Sequence, residues 1–213
     1  MPKLSEKYQF IAGLHGNEPV PIFALLESKT DFVLGNPEAL ARGKRFIDED
    51  LNKVFGLTGN TVERLRAKKL LEILPTDKPV IDLHTCSAKT EPFCIVIDEK
   101  LIPVAQKTGL SKVVVMKFNI KNGHSLLNFR NGISIEVGNH KSQEAYNLTL
   151  KILDNLKGES TSPMEVYEVY DTISKTGNYV NFKLYNNEFI PVLAGEKAYP
   201  FPGLKARFVK SVT

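Results

Sequence analysis

The side chains best suited to chemistry in this chain are a few histidines and carboxylates beside short apolar segments. His15 and Glu18 stand three residues apart after the apolar run 8–14, and His84 ends the run VIDLH in segment 80–85. An imidazole and a carboxylate at this spacing can face one point if the backbone turns there. Zinc accepts nitrogen and oxygen ligands at about 2.0–2.2 Å in open sites with three protein ligands and a water. His15, Glu18 and His84 are therefore candidate metal ligands.

Glu136 is the candidate catalytic carboxylate. It lies in the apolar segment ISIEVG at 133–138, where burying a charge is costly unless something uses it. A carboxylate beside a metal-bound water is the general base that an amide hydrolase needs. Asp82 would lie on the same side of its strand as His84 and could be its outer partner. Taken singly, His84 could be a strand-end histidine and Glu136 could face solvent.

Alternating strands and helices are predicted to position these residues. Apolar and β-branched runs predict strands at 8–14, 31–35, 80–85, 93–97, 112–116 and 133–138. Helices are predicted after Pro19 and at about 61–74, 99–108 and 141–157. This order predicts an α/β fold with a mixed, mostly parallel sheet flanked by helices. The candidate residues then meet at the carboxyl ends of neighbouring strands, where such sheets bind ligands.

The chain is predicted to divide into two parts. Residues 1–158 would form the α/β zinc hydrolase domain, and GESTSP at 158–163 resembles a linker. Residues 164–213 contain strand-like runs, MEVYEVY, YVNFKLY and EFIPVLA, with little helical periodicity. They predict a small β-rich C-terminal subdomain.

Composition excludes several classes of protein. The 213 residues are 42% hydrophobic and 24% charged with a net charge of +4, which is typical of a globular protein. The basic residues are interleaved with acidic ones, so no nucleic-acid partner is expected. No apolar run reaches the ~18 residues of a membrane span, and no signal peptide is apparent. With only two cysteines, Cys86 and Cys94, a reducing, cytoplasmic location is expected.

Together these motifs resemble the aspartoacylase and succinylglutamate desuccinylase family, which is related to the zinc carboxypeptidases. The resemblance rests on four segments in matching order: GLHGNE at 13–18, RFIDEDLNKVF at 45–55, IDLHT at 81–85 and IEVG at 135–138. A weaker match is EKAY at 196–199. The resemblance implies the same fold, one Zn²⁺ per chain and a small anionic amide substrate. Manganese, cobalt or iron are not excluded.

The resemblance also implies roles for individual residues. His15, Glu18 and His84 would bind the zinc, Glu136 would be the catalytic carboxylate and Arg45 would stabilise the oxyanion. Asn52 and Lys53 would hold the substrate's carboxylate, and Tyr199 would close over the site.

Two positions depart from the family pattern. Lys53 replaces an arginine, and a lysine lacks the bidentate fork. Leu126 stands where aspartoacylases have an arginine that reads an acidic side chain, and Arg130 lies nearby. The preference for acidic side chains, the acyl group and the oligomeric state therefore stay open.

The expected function is zinc-dependent hydrolysis of a non-peptide amide bond in a small N-acyl amino acid or similar conjugate. Two alternatives remain: a metallocarboxypeptidase acting on short peptides, and a catalytically inactive homologue that binds a metal or ligand.

Overall fold

A nine-stranded sheet organises the part of the chain described by the computed structural model, residues 4–118 and 120–213. Its strands are β1 (Gln9–Ala12), β2 (Phe32–Leu34), β3 (Val80–Cys86), β4 (Phe93–Val96), β5 (Lys112–Met116), β6 (Gly132–Asn139), β7 (Met164–Ile173), β8 (Ile190–Val192) and β9 (Gly203–Val212). Their order across the sheet is β2-β1-β3-β6-β4-β5-β7-β9-β8. Neighbours pair in parallel except at β6–β4, β7–β9 and β9–β8. The predicted mixed, mostly parallel sheet is confirmed.

Helices flank this sheet. They are α1 (Leu4–Lys7), α2 (Val20–Glu27), α3 (Pro37–Ala41), α4 (Val62–Ile73), α5 (Ile102–Gln106) and α6 (Gln143–Asn155). Short 3-10 turns form at Leu51–Lys53, Glu99–Leu101 and Leu126–Asn128. In the described ranges, no helix combines the length and the apolar character that crossing a membrane requires.

Period-two alternation along the strands separates an apolar face from a functional one. On β3 and β6, the side chains of one parity join the largest core: Ile81, Leu83, Ile133, Ile135 and Val137. Residues of α2, α5 and α6 complete that core. The other parity carries Asp82, His84, Ser134 and Glu136, and we call this side of the sheet the site face.

The C-terminal segment continues the same sheet. β7 pairs in parallel with β5, and β9 runs antiparallel to β7 from Met164 to Ile173. The C-terminal part is thus rich in strands, as expected, whereas the domain boundary at 158–164 stays a prediction.

One sequence expectation for local structure is wrong. Residues 179–185 form a turn at 181–182 and otherwise irregular backbone instead of a strand, apart from an isolated bridge between Tyr185 and Phe189. Phe182 has a positive φ of 60°, and the Asn181 side chain bonds the backbone of Lys89 and Ala194. On α4, the apolar side chain of Leu65 is 53% exposed. Glu63 is fully buried instead.

Candidate metal and active site

His15 and Glu18 lie on the loop that follows β1. The Glu18 N–H donates to the His15 carbonyl over 3.2 Å, and the Gly16 N–H donates to the Arg45 carbonyl over 3.1 Å. A Cβ at Gly16 would come well within 3.0 Å of the Ala39 backbone on α3. The loop therefore requires glycine at position 16, because any side chain there would collide with α3.

His84 reaches the same point from β3, which lies beside β1 in parallel. His15 Nδ1 is 2.7 Å from Glu18 Oε1, and His84 Nδ1 is 3.1 Å from Glu18 Oε2. One ligand atom from each of the three residues lies within 4.8 Å of the others, and all three side chains are buried. The predicted convergence of His15, Glu18 and His84 is present.

Carboxylates lie behind both imidazoles. His84 Nε2 is 2.7 Å from Asp82 Oδ2, which also accepts a bond from Ser134 Oγ at 3.0 Å. In the neutral ring whose Nε2–H donates to Asp82, Nδ1 turns a lone pair toward the Glu18 carboxylate. Two acceptors face each other stably only with a proton or a cation between them. A histidine whose far nitrogen donates to a carboxylate is the usual metal-binding arrangement.

His15 has the corresponding partner in Asp50. Its Nε2 lies 3.0 Å from Asp50 Oδ1 and 2.9 Å from Arg45 Nη2, so it can donate to the first or accept from the second. The donating form leaves Nδ1 available to a metal ion. Asp50 stands in the segment RFIDEDLNKVF, but sequence analysis gave it no role.

The charges around Glu18 also suit a cation. Burial opposes ionisation of Glu18, yet the charges and hydrogen bonds of His15 and His84 hold its pKa well below the usual value. Burial disfavours the charged form of His84, but Asp82 and Glu18 raise its pKa well above the usual value. The carboxylates of Asp82 and Glu18 thus draw positive charge to the His84 imidazole. The donor set of His15, Glu18 and His84 fits a divalent metal ion.

Glu136 lies beside this cluster on β6, with its Cα paired in register with that of His84. Its Oε2 is inaccessible to solvent and has no hydrogen-bond partner in the described ranges. Burial raises the pKa of Glu136 to about 7; His84 opposes this shift, while Glu18 and Glu196 add to it. A carboxyl group poised near neutral pH beside a metal site can accept and return a proton.

Arg45 borders the other side of the cluster. Its guanidinium donates to Asp50 Oδ2 from Nη2 at 3.0 Å and Nε at 3.3 Å, and Nη1 is 3.4 Å from Glu18 Oε1. Although burial opposes the charged form, Asp50 and Glu18 raise the pKa of Arg45 above its already high value. The guanidinium is a fixed positive charge at the cluster of His15, Glu18 and His84.

Glu63 holds the loop that carries Arg45 and Asp50, and sequence analysis missed it. Its carboxylate accepts the backbone N–H groups of residues 47, 48 and 49 and the side-chain amide of Asn36. Because Glu63 is fully buried, these bonds replace its hydration. The sequence signal was an acidic residue in the first turn of α4, which resembles an ordinary helix-dipole residue.

Asn52 and Lys53 line the same cavity as the cluster. Asn52 Oδ1 accepts the Leu126 N–H at 2.9 Å, so its amide nitrogen is the group left to donate to a ligand. Leu126 itself is fully buried and packs in a core cluster. Arg130 does not replace the missing arginine, because its guanidinium bonds the carbonyls of Leu71, Leu74 and its own neighbour.

Tyr199 reaches the cavity from the C-terminal part, where its ring stacks on Phe201 at 4.9 Å. Glu196 docks this segment, since its carboxylate accepts the backbone N–H groups of Ser87 and Ala88 at 2.8 and 3.3 Å. Burial raises the pKa of the Tyr199 hydroxyl, with Glu136 and Glu196 as further causes. Sequence analysis noted Glu196 only as part of the EKAY match.

The cavity that joins these groups has a volume of about 200 Å³. All eight residues singled out from the sequence line it: His15, Glu18, Arg45, Asn52, Lys53, His84, Glu136 and Tyr199. Lys121 also lines it, and no sequence pattern pointed to this residue. Burial lowers the pKa of Lys121, while the charges of Asp50 and Asp82 oppose this shift.

The remaining histidines and Cys86 have other surroundings. Cys86 lines the cavity, but burial and the charges of Glu136 and Glu196 raise its pKa, which keeps the thiol protonated. His124 Nδ1 bonds the backbone of Phe55, and His140 Nδ1 bonds the Thr85 hydroxyl. None of these three is a ligand in the cluster.

Sequence comparison identifies the protein family. Residues 7–147 match the family described as the succinylglutamate desuccinylase/aspartoacylase catalytic domain. The chain belongs to this family. The matched range includes the predicted metal ligands and Glu136, while Tyr199 lies outside it.

Two curated relatives show how far the family likeness extends. A succinylglutamate desuccinylase of Pseudomonas paraeruginosa is 34% identical over 110 residues, covering 39% of this chain and 33% of the relative. A probable aspartoacylase of Prochlorococcus marinus is 27% identical over 192 residues, covering 72% of this chain and 62% of the relative. The chain thus spans less than two thirds of either relative.

Solved structures share the family fold. The succinylglutamate desuccinylase of Chromobacterium violaceum superposes with a TM-score of 0.73 at 17% identity, covering 96% of this chain and 85% of the other. Murine aminoacylase 3 gives a TM-score of 0.72 at 19% identity, covering 97% and 96%. At these identities the likeness concerns the fold.

Proposed function

We propose that this chain is a zinc-dependent hydrolase that cleaves the amide bond of a small N-acyl amino acid or a similar conjugate. The observation that carries the proposal is the cluster of His15, Glu18 and His84 ligand atoms within 4.8 Å, with Glu136 beside it in one cavity. Family membership supports the reaction class. When bound, zinc lowers the pKa of a water toward ~7 and polarises a carbonyl.

Residues of the chain transfer the proton, stabilise the developing charge and orient the imidazoles. Glu136 takes a proton from the attacking water and returns it to the departing amine, which suits its unpartnered oxygen and its pKa of about 7. Arg45 stabilises the negative charge that develops on the carbonyl oxygen, because Asp50 holds its guanidinium at the cluster. Asp82 and Asp50 orient the two imidazoles.

Substrate binding is assigned to the cavity rim. Asn52 and Lys53 hold the substrate's carboxylate, and Tyr199 closes the cavity from the C-terminal part. A volume of about 200 Å³ is below the ~300–1,000 Å³ of sites for drug-sized ligands, which supports a small substrate.

Metal content tests the first half of the proposal. Wild-type protein purified without added metal, then dialysed against zinc, should hold close to one zinc per chain. His84→Ala should hold little zinc, whereas His124→Gln should match the wild type because His124 lies outside the cluster. Absence of zinc from the wild type would remove the mechanism.

Turnover tests the second half. Zinc-loaded wild type should release free amine from N-acyl amino acids faster than it cleaves dipeptides or tripeptides. Glu136→Gln should keep its zinc and lose turnover, while Glu144→Gln, an exposed glutamate on α6, should behave as wild type. Zinc binding without turnover on any amide would favour an inactive metal-binding homologue, and faster peptide cleavage a carboxypeptidase.

A further inference from the structure

Part of the cavity lining is not used by the proposed chemistry. Six of the lining side chains are large and aliphatic or a thioether: Ile95, Ile97, Met116, Ile120, Leu127 and Leu193. We call this group the apolar wall. Most of its members are partly exposed, so they offer apolar surface that a ligand could cover.

Strand register shows where the site face changes character. Ser134 on β6 pairs with Ile95 on β4, and Ile95 pairs with Val114 on β5. Next to Ser134, this face of the sheet therefore carries aliphatic side chains on β4 and β5. The apolar wall and the catalytic groups line the same cavity of about 200 Å³, so one small substrate can contact both.

Among the described residues that line the cavity, Arg45 is the one arginine, and it is bound to Asp50. Leu126, at the position that reads an acidic side chain in the resemblance to aspartoacylases, is buried in the core. Arg130 is engaged with backbone carbonyls at the end of α4. An acidic side chain placed against the apolar wall would lose its hydration without a guanidinium partner.

Other cations of the described lining have competing partners. They are Arg45, Lys53, Lys117 and Lys121. Arg45 is bound to Asp50, and Lys117 Nζ lies 2.9 Å from Glu99 at the surface. Lys53 is assigned to the substrate's α-carboxylate. Lys121 already lies in the field of the Asp50 and Asp82 carboxylates.

We infer that the apolar wall binds the amino-acid side chain of the substrate, and that this side chain is aliphatic or a thioether. The inference rests on the proposed function, because it describes the same site. The substrate is then an N-acyl derivative of an amino acid such as leucine or methionine, with its α-carboxylate at Asn52 and Lys53. The apolar wall supplies the contacts that select it.

Substrate preference is the primary test. With zinc-loaded wild type, kcat/KM should be at least about tenfold higher for N-acetyl-L-methionine than for N-acetyl-L-aspartate, with N-acetylglycine between them. Comparable or faster hydrolysis of N-acetyl-L-aspartate would overturn the inference while leaving the proposed function intact. If Lys121→Met then abolished the preference for N-acetyl-L-aspartate, Lys121 would be the residue that binds the acidic side chain.

Variants of the wall give an independent test. Ile97→Thr should lower kcat/KM about tenfold more for N-acetyl-L-methionine than for N-acetylglycine, which has no side chain to contact the wall. The matched control Ile73→Thr, on an exposed position of α4, should leave the ratio of the two substrates unchanged. Met116→Thr serves the same purpose if Ile97→Thr unfolds. An unchanged ratio in a folded wall variant would overturn the inference.

Binding measured by calorimetry tests the apolar wall separately from the hydrolysis reaction. If no N-acyl amino acid is hydrolysed, the proposed function fails, and binding of the same compounds to zinc-loaded protein decides about the wall. Tighter binding of N-acetyl-L-methionine than of N-acetyl-L-aspartate supports an apolar subsite. Equal, reversed or undetectable binding overturns it.

Discussion

Asp82→Asn should weaken zinc binding without disturbing the fold. Asp82 is fully buried, and its Oδ2 lies 2.7 Å from His84 Nε2 and 3.0 Å from Ser134 Oγ. Asparagine keeps the shape and an acceptor oxygen but removes the charge. The change therefore isolates what the carboxylate does to the imidazole.

The expected magnitude comes from the role of such outer partners. A carboxylate that accepts the far N–H of a ligating histidine orients the ring and raises its basicity, and losing it costs about 10–100-fold in metal affinity. That corresponds to about 1.4–2.8 kcal/mol of binding free energy. Asp82 is a cleaner target than Asp50, because Asp50 also holds Arg45.

Competition with a chromophoric chelator would measure the zinc dissociation constant of the wild type and Asp82→Asn at one pH. The control is Asp171→Asn, where an aspartate with a 49% exposed side chain lies 3.1 Å from Lys205. Thermal unfolding of the metal-free proteins checks that both variants fold. The control should match the wild type in zinc affinity.

An Asp82→Asn protein that folds normally and binds zinc within about threefold of the wild type would refute the reasoning. His84 would then need no charged partner, and the distance of 2.7 Å would describe packing alone. If the control lost affinity equally, the effect would be one of net charge. Neither result is expected from the buried geometry of Asp82.

Three further results are expected. In metal-free protein, burial raises the pKa of Glu136 from 4.5 to about 7. Stability that is present below pH 4.5 should therefore be lost as the pH rises through 7, by up to about 3 kcal/mol relative to Glu136→Gln. Urea unfolding across this pH range tests the prediction, and parallel curves of unfolding free energy against pH for the two proteins would contradict it. Glu63→Gln should lower the free energy of unfolding in urea by roughly 2–4 kcal/mol and lower kcat, because an amide cannot accept all the N–H groups that the carboxylate accepts. An unchanged midpoint of the urea transition would contradict this prediction. Gly16→Ala should lower the free energy of unfolding by about 3 kcal/mol or more and weaken zinc binding, since its Cβ would collide with the Ala39 backbone. A stable, zinc-binding variant would contradict this and show that α3 can move aside.

Much of the fold and the site was predictable because the signals were short-range. The period-two alternation in VIDLHT and ISIEVG assigned His84 and Glu136 to strands, and β3 and β6 are neighbours with these residues in register. The spacing of His15 and Glu18 is confined to one loop. Such patterns depend on backbone geometry within a few residues.

The failures occurred where neighbours distant in sequence decide the conformation. The run 179–185 alternates like a strand, but the Asn181 side chain bonds the backbone of Lys89 and Ala194 and fixes a turn there. Glu63 resembles a surface helix residue until the loop at 47–49 folds over it. No local sequence pattern predicts either contact.

The sequence by itself determined the types of the candidate ligands, the loop and strand that carry them and the pairing of Asp82 with His84, because alternation and spacing are local properties of the chain. The tertiary structure alone decided that Asp50 lies behind His15 and which side chains form the apolar wall. Asp50 meets His15 across 35 residues of sequence, and the wall gathers residues from β4, β5 and irregular segments. These irregular segments have no periodicity, so only their packing against the sheet determines where their side chains lie.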